Sequence, residues 1–168
     1  MNGRQTFSSS KMSLFEAVKE NNYDSIQRLL LAESTNQTAF DQVNEHGENL
    51  LMAAAKAGSI RTFQLLVEIA KLGLERAQTR GYTDGSLADS DSEIRLPSTL
   101  INRRDKSGRT AVHHAVSSLS MPILKRLIKM DARLDVQDKK GNTALHLAAH
   151  LPHSLGDCLL LILLLLAY

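Results

Sequence analysis

The chain of 168 residues has a single cysteine, no tryptophan and 3 prolines. With Cys158 alone no disulfide can form within the chain, which fits a reducing compartment. Its opening residues, MNGRQTFSSSKMS, contain no apolar run, so we expect no secretory signal peptide. The motifs G-x-x-x-x-G-K-[ST], G-x-S-x-G and H-E-x-x-H are missing, and no pair of carboxylates stands out by spacing. We therefore expect no catalytic site and no enzyme.

Neither sign of charge is in large excess, since the net charge is +2 and charged residues make up 23% of the chain. Apolar residues make up 43%, and the length is enough for one domain with a buried core. Bulk charge therefore indicates no particular partner, although a pI near 8.8 leaves room for a local basic patch.

An internal repeat is the most informative feature of the sequence. The segments DKSGRTAVHHAV (105–116) and DKKGNTALHLAA (138–149) share Asp, Lys, Gly, Thr, Ala and His at a spacing of 33 residues. NEHGENLLMAAAKAG (44–58) is a looser copy, and LFEAVKENNYDSIQRLLL (14–31) is a fourth that has lost its opening turn. Such a period predicts a stack of similar structural units.

Each copy has the pattern of a turn followed by two helices. Asp and Gly favour the turn, because the carboxylate accepts backbone N–H groups and glycine tolerates a positive φ. Thr110 is a suitable N-cap for the first helix, and Ser13 with Glu16 forms a capping pair in the first copy. The second helix carries an apolar stripe at helical spacing, for example at Ile123, Leu124 and Leu127.

These residues resemble the ankyrin repeat, whose consensus is D-x-x-G-x-T-P-L-H-x-A-A-x-x-G. The strongest match is DVQDKKGNTALHLAA (135–149), and the resemblance covers about 13–67 and 101–161. The Gly that should end the first helix is replaced by Asn21, Leu119 and Pro152 in three copies. Asparagine can take the left-handed conformation at modest cost, whereas Pro152 predicts a distorted last repeat between 150 and 157.

The resemblance implies an all-α ankyrin-repeat solenoid of about four helix-turn-helix repeats, with a long insertion between the second and third repeats. Gly47 and Gly108 are 61 residues apart, which leaves about 28 extra residues there. FQLLVEIAKLGLERAQ should extend the second helix of its repeat, and RGYTDGSLADSDSEIRLPS should form a mobile loop, in which Ser90 and Ser92 are either phosphorylated or part of a plain linker. We predict a disordered tail at 1–12, a domain at 13–168, repeats at about 13–40, 41–78, 101–135 and 136–168, and a flexible insertion at 79–100.

Histidine is concentrated in the last two copies. His146 and His150 are four residues apart and would share a helix face, so they could contribute to a zinc site. The repeat itself accounts for His113 and His146, whose imidazoles should tie a helix start to neighbouring backbone. We therefore expect no metal and no cofactor, and no nucleophile at Cys158, because the adjoining leucines should raise the pKa of its thiol.

In the ankyrin family the turn tips and first helices carry protein recognition. Stacked turns should also bring several cations into one basic edge that attracts acidic segments of other proteins, whereas nucleic acid is not expected because no aromatic residues accompany the cations. The basic edge comprises Arg103, Arg104, Lys106, Arg109, Lys139 and Lys140. The expected contact residues are Glu45, His46, Lys106, Ser107, Lys139 and Lys140 at the tips, and Lys56, His114, Ser117 and His150 on the inner helices.

The sequence predicts a protein–protein interaction module, used as an adaptor, a scaffold or a regulatory binding protein. One alternative is a cytoplasmic inhibitor similar to the inhibitor-of-NF-kappa-B family, which sequesters a transcription factor. LVEIAKLGLERAQ before LINRRDKSGRTAVHHAV has that layout, but the degradation motif D-S-G-x-x-S is missing. We expect a cytoplasmic location, with the nucleus as the alternative.

The chain closes on the apolar segment DCLLLILLLLAY (157–168). Its eleven residues from 158 onward would span about 16 Å as a helix, too short for a hydrocarbon core of about 30 Å. The repeat register places Leu159, Leu160 and Leu161 on the buried face of a second helix. The apolar outer face has three explanations: a truncated or spliced array without its cap, packing against a partner or a second copy of the chain, or association with a membrane through Leu159–Ala167.

Overall fold

The computed structural model describes residues 13–32, 36–81 and 96–151, and within these ranges the chain is helical and contains no β-strand. The prediction of an all-α repeat fold is therefore confirmed. The helices are α1 (Leu14–Lys19), α2 (Tyr23–Ala32), α3 (Asn36–Asp41), α4 (Leu50–Ala57), α5 (Ile60–Gly81), α6 (Ser98–Ile101), α7 (Ala111–Ser117), α8 (Met121–Lys129) and α9 (Ala144–His150).

The first helices of the repeats form an inner layer and the second helices an outer layer. In the inner layer α4 contacts both α1 and α7, and α7 also contacts α9. Small residues allow this close stacking, since Ala54, Ala115 and Ala148 are fully buried. The outer helices α2, α5 and α8 pack against α1, α4 and α7, respectively. The predicted stripe of α8 faces the core, where Ile123, Leu124 and Leu127 have no exposed surface.

Local capping signals fix where the inner helices begin and end. Ser13 and Glu16 form the predicted capping box, with the Ser13 N–H donating to the Glu16 carboxylate at 2.8 Å. Helices α1, α4 and α7 each lead to their outer helix through a residue in the left-handed conformation: Asn21 at φ 55°, Gly58 at φ 68° and Leu119 at φ 53°. A leucine therefore adopts the backbone that glycine would adopt more easily, and its side chain packs partly against the core.

Polar side chains tie the helix ends of successive repeats together. The Thr62 hydroxyl donates to the Asn21 amide oxygen at 2.9 Å, and the Ser118 hydroxyl donates to the Ala55 carbonyl oxygen at 2.7 Å. These bonds satisfy groups that would otherwise be left unpaired where helices end.

The second repeat departs from the others at its outer helix. Helix α5 has 22 residues whereas α8 has 9, so the predicted helical extension of the insertion is present. At the other end of the predicted loop Leu96 is buried and α6 follows, so the chain is folded before residue 100. Helix α3 has no counterpart in the sequence prediction; it packs against α5 and buries Phe40.

Helix α9 ends at His150, and Leu151 has extended backbone angles of φ −72° and ψ 127°. A residue before proline avoids the helical region, so Pro152 stops the helix as its position suggested. Among the described residues no helix is both long and apolar enough to cross a membrane. Ser90, Ser92, Cys158 and the leucine-rich tail lie outside the described residues.

The turn glycines provide a matched test of the stacking. Gly108 and Gly141 have φ values of 79° and 81°. A β-carbon on Gly108 would lie 3.0 Å from the backbone nitrogen of Lys139, whereas a β-carbon on Gly141 would meet nothing within 4 Å. We expect Gly141→Ala to cost about 1–2 kcal/mol for the left-handed conformation alone. Gly108→Ala should cost more, because it also separates two repeats. Urea unfolding followed by circular dichroism measures both, and equal losses would contradict this reading.

Candidate functional site

Three turns with the same geometry project along one edge of the stack. Each begins with Asn44, Asp105 or Asp138, whose side-chain oxygen accepts two backbone N–H groups of the same turn, two and four residues further along. The accepted N–H groups belong to His46 and Glu48, to Ser107 and Arg109, and to Lys140 and Asn142, at 2.8–3.0 Å. A glycine at positive φ then closes each turn. The motif [D/N]-x-x-G-x thus fixes the loop locally.

Hydrogen bonds between neighbouring turns join them into a continuous row. The Lys106 N–H donates to the His46 carbonyl oxygen, and the Lys139 N–H donates to the Ser107 carbonyl oxygen, both at 2.9 Å. The turns therefore lie side by side, as the repeat register predicts. We call the residues at their tips, 45–46, 106–107 and 139–140, the tip row.

Buried polar side chains of the second and third repeats lie close together beneath the tip row. The Glu48 carboxylate accepts from Lys56 Nζ at 2.6 Å and from Asn44 Nδ2 at 2.7 Å. His114 Nε2 lies 3.0 Å from Asp105 Oδ2. Burial by itself raises the pKa of Glu48, but the hydrogen bonds from Lys56 and Asn44 outweigh it and hold that pKa below its usual value.

One side-chain nitrogen or oxygen from each of Glu48, Asp105 and His114 lies within 4.8 Å of the other two, a spacing that a metal ion could use. These oxygens already accept hydrogen bonds from Lys56, Asn44 and backbone N–H groups. Burial lowers the pKa of His114, so the imidazole is neutral at neutral pH despite the carboxylate of Asp105. The cluster is therefore a satisfied structural network.

His113 connects the start of α7 to the following repeat. Its Nδ1 accepts from the Thr110 N–H at 3.1 Å, which places the ring proton on Nε2, 3.3 Å from the Asn142 carbonyl oxygen. Burial lowers the pKa of His113 and keeps it neutral. His146 makes the equivalent bond to the Thr143 N–H at 3.3 Å. The predicted structural role of these histidines is confirmed by this geometry.

Most of the predicted contact residues lie on the surface, with one exception. Residues Glu45, His46, Lys106, Ser107, Lys139 and Lys140 are exposed at the tips, and Lys56, Ser117 and His150 are exposed on the inner helices. His114 is 6% exposed and bonded to Asp105. The prediction that His114 faces a partner is therefore wrong. Sequence position alone could not distinguish His114 from the exposed inner-helix residues Lys56, Ser117 and His150, because its burial depends on a turn that begins nine residues earlier.

The predicted basic edge divides into two groups. Three arginines have partners within the chain. Arg103 donates to the Asp41 carbonyl oxygen at 3.2 Å and Arg104 to the carbonyl oxygens of Gly108 and Gln137, whereas Arg109 Nε forms an ion pair with the Asp138 carboxylate at 3.5 Å. Burial raises the pKa of Asp138, but backbone N–H groups and Arg109 outweigh it, and the pKa lies below its usual value. Lys106, Lys139 and Lys140 are left pointing outward as exposed cations.

A groove of about 750 Å³ opens beside the first turn, between α1, α4 and residues 43–48. Phe15, Val43 and Ala53 supply apolar surface there, and Val43 is 44% exposed. Lys19 and Lys56 lie along the same groove. Phe15, Val43 and Lys19 were not predicted as contact residues, since the first copy lacks a turn and its register toward the second copy is not visible in the sequence.

Comparison with known proteins agrees with this architecture. Residues 87–166 match the family model described as ankyrin repeats (3 copies). Together with the paired helices and bonded turns, this match shows that the chain carries ankyrin repeats, and ankyrin repeats are protein-interaction modules.

One protein is similar to this chain in sequence, and one solved structure is similar to it in fold. Over 69 residues it is 42% identical to the mouse nuclear factor NF-kappa-B p105 subunit, a match that spans 40% of this chain and 7% of that protein. It also superposes with a TM-score of 0.68 and 18% identity on a chain in the crystal structure of the yeast ribosomal protein Rps3 in complex with its chaperone Yar1. That likeness covers 92% of this chain and 90% of the other, and it concerns the fold alone.

The two buried histidines predict a loss of stability in mild acid. Their folded-state pKa values are lowered, so below about pH 6.5 the unfolded chain binds protons that the folded chain does not, and the free energy of unfolding falls. The slope should reach at most about 1.4 kcal/mol per pH unit for each histidine. His114→Gln should flatten it, while His46→Gln at an exposed tip should keep it. Urea unfolding at pH 7.5, 6.5 and 5.5 measures this, and a flat wild-type profile would contradict it.

Proposed function

We propose that the chain is a non-catalytic adaptor or regulatory binding protein that holds a partner polypeptide along the tip row and the adjoining groove. The hydrogen-bonded row of turns carries this proposal, because it fixes three repeats relative to one another without using the side chains at the tips. Lys106, Lys139 and Lys140 then face solvent from a rigid backbone, where they can meet the carboxylates of an acidic segment.

The two parts of this surface contribute differently to binding. An exposed ion pair contributes only about 0.2–1 kcal/mol, so the lysines chiefly speed and orient the encounter. The groove supplies apolar contact through Phe15 and Val43, whose burial by a partner is the larger source of affinity. The partner that fits is a polypeptide with apolar side chains for the groove and acidic residues near the tip row.

We expect the triple charge reversal Lys106→Glu, Lys139→Glu and Lys140→Glu to remove acidic partners from those recovered with the intact chain. The matched control is Arg61→Glu, Lys125→Glu and Lys129→Glu, which changes the net charge equally at exposed positions on the outer helices. Quantitative affinity purification from cells compares the three proteins. The expected loss is specific to the tip variant, and the difference from the intact chain shrinks at higher salt because salt screens these charges. Identical recovery by all three proteins would rule out the basic tips as a binding surface.

A second candidate is an inhibitor similar to the inhibitor-of-NF-kappa-B family. Two observations favour it: the similarity to the p105 subunit, and the long α5 followed by an insertion between repeats. We further propose action in the cytoplasm or nucleus, and self-association through the leucine-rich tail.

Direct binding to a purified Rel-homology domain tests this second candidate. A sequestering inhibitor should bind with a dissociation constant well below 1 µM, because only then does it compete with DNA at cellular concentrations. Isothermal titration with the full chain measures this, and the tip charge reversal shows whether the same surface is used. Absence of heat at tens of micromolar would leave the adaptor role as the function.

A further inference from the structure

A second concave feature lies on the outer side of the stack. A cavity of about 380 Å³ is enclosed by α3, by α5 and by the chain from Leu96 to Arg103. None of the described residues that line it belongs to the inner helices or to the tip row, so it is separate from the surface proposed above. Its size falls within the range of about 300–1,000 Å³ that is typical of ligand pockets.

The walls of this cavity are apolar and its mouth is polar. Phe40, Ala70 and Leu96 are buried and form the interior. Asp41 is exposed and Arg103 is half-buried at the edge. Arg103 Nη1 donates to the backbone carbonyl oxygen of Asp41 at 3.2 Å, which holds the guanidinium at the mouth.

Gly73 lines this cavity from α5. It lies in the middle of α5, three residues after Ala70 and next to Leu74, on the stripe that faces α3. Glycine inside a helix is less favourable than alanine by about 1 kcal/mol. A leucine at this position would strengthen the helix and fill the space. Ala70 and Gly73 are small residues in the wall of the cavity, at positions where a larger side chain would occupy part of the space.

We propose that this cavity is a second binding site, which receives one bulky apolar side chain of a partner polypeptide while a neighbouring carboxylate of that partner pairs with Arg103. The one bond of Arg103 to a carbonyl oxygen leaves most of its five N–H donors for a carboxylate. Among the residues whose side chains the structure describes, 13–30, 39–74 and 96–151, Arg103 forms no ion pair with a carboxylate. Apolar anchors set in a pocket beside a charge are typical of the residues that dominate protein interfaces.

Nuclear magnetic resonance of the ¹⁵N-labelled full chain tests the site with short peptides. The probe is acetyl-Gly-Phe-Asp-Gly-amide, with acetyl-Gly-Ala-Asp-Gly-amide and acetyl-Gly-Phe-Asn-Gly-amide as comparisons. We expect the probe to shift the amide signals of Ala70, Gly73, Thr99 and Leu100. The alanine peptide should produce no shift. The asparagine peptide should bind about 2- to 5-fold more weakly, which is the effect of one exposed ion pair.

Substitutions in the protein locate the effect. Gly73→Leu should abolish the shifts while keeping or raising the unfolding midpoint, because it favours the helix. Leu72→Gln is the matched control: Leu72 is 48% exposed on the same helix and does not line the cavity, so peptide binding should be unchanged. Should Gly73→Leu lower the midpoint, Thr99→Trp plugs the mouth from an exposed position and must abolish the shifts instead.

The results that would overturn the site are equally specific. Shifts confined to the tip row, shifts that persist in both plugged variants, or no shifts at millimolar peptide would each show that the cavity takes no apolar side chain. Equal affinity for the aspartate and asparagine peptides would remove Arg103 from the proposal. These outcomes are independent of the charge-reversal test, since none of the cavity residues named here is changed in the charge-reversal variant.

Discussion

The hydrogen bonds between neighbouring turns are the constraint on which the other features depend. The N–H groups of Lys106 and Lys139 reach the carbonyl oxygens of His46 and Ser107 only because a glycine lies beside each contact. A β-carbon at Gly108 would approach the next backbone to 3.0 Å. Once the turns are joined, the inner helices can stack through alanine, and the tip side chains are held in a row without taking part in that contact.

Beneath this row, the chemistry of the charged residues separates structure from surface. Arginine has a planar group with several donors, and Arg104 uses it to join the Gly108 carbonyl oxygen of its own turn to the Gln137 carbonyl oxygen beside the next, while Arg109 forms an ion pair with Asp138. The lysines at the tips have no such role. Glu48 accepts from Lys56 and Asn44, and Asp105 is paired with His114 and with backbone N–H groups of its own turn. The arginines therefore stabilise the edge of the solenoid, and the tip lysines Lys106, Lys139 and Lys140 remain exposed to solvent.

The second repeat shows how a regular array acquires an irregular site. Extending α5 beyond the usual length and returning the chain through Leu96 encloses space that a standard repeat would not have. The extension was predictable from the apolar stripe of the sequence. The cavity was not, because it also requires α3, whose short helical segment NQTAFD carries no strong periodic signal. The size of the space depends on which small side chains meet across three separate segments.

The class of fold, the turn geometry, the helix starts and the structural role of His113 could be predicted from short-range patterns that repeat along the chain, most clearly at a spacing of 33 residues. Local hydrogen bonds and the left-handed tolerance of glycine and asparagine act within a few residues, so they can be read along the chain. Three features became visible only in the folded chain: the burial of His114, the pairing of three arginines with groups of the same chain, and the groove shared by Phe15 and Val43. Those outcomes depend on which atoms of neighbouring repeats come within hydrogen-bonding or packing distance, and linear order does not specify such distances.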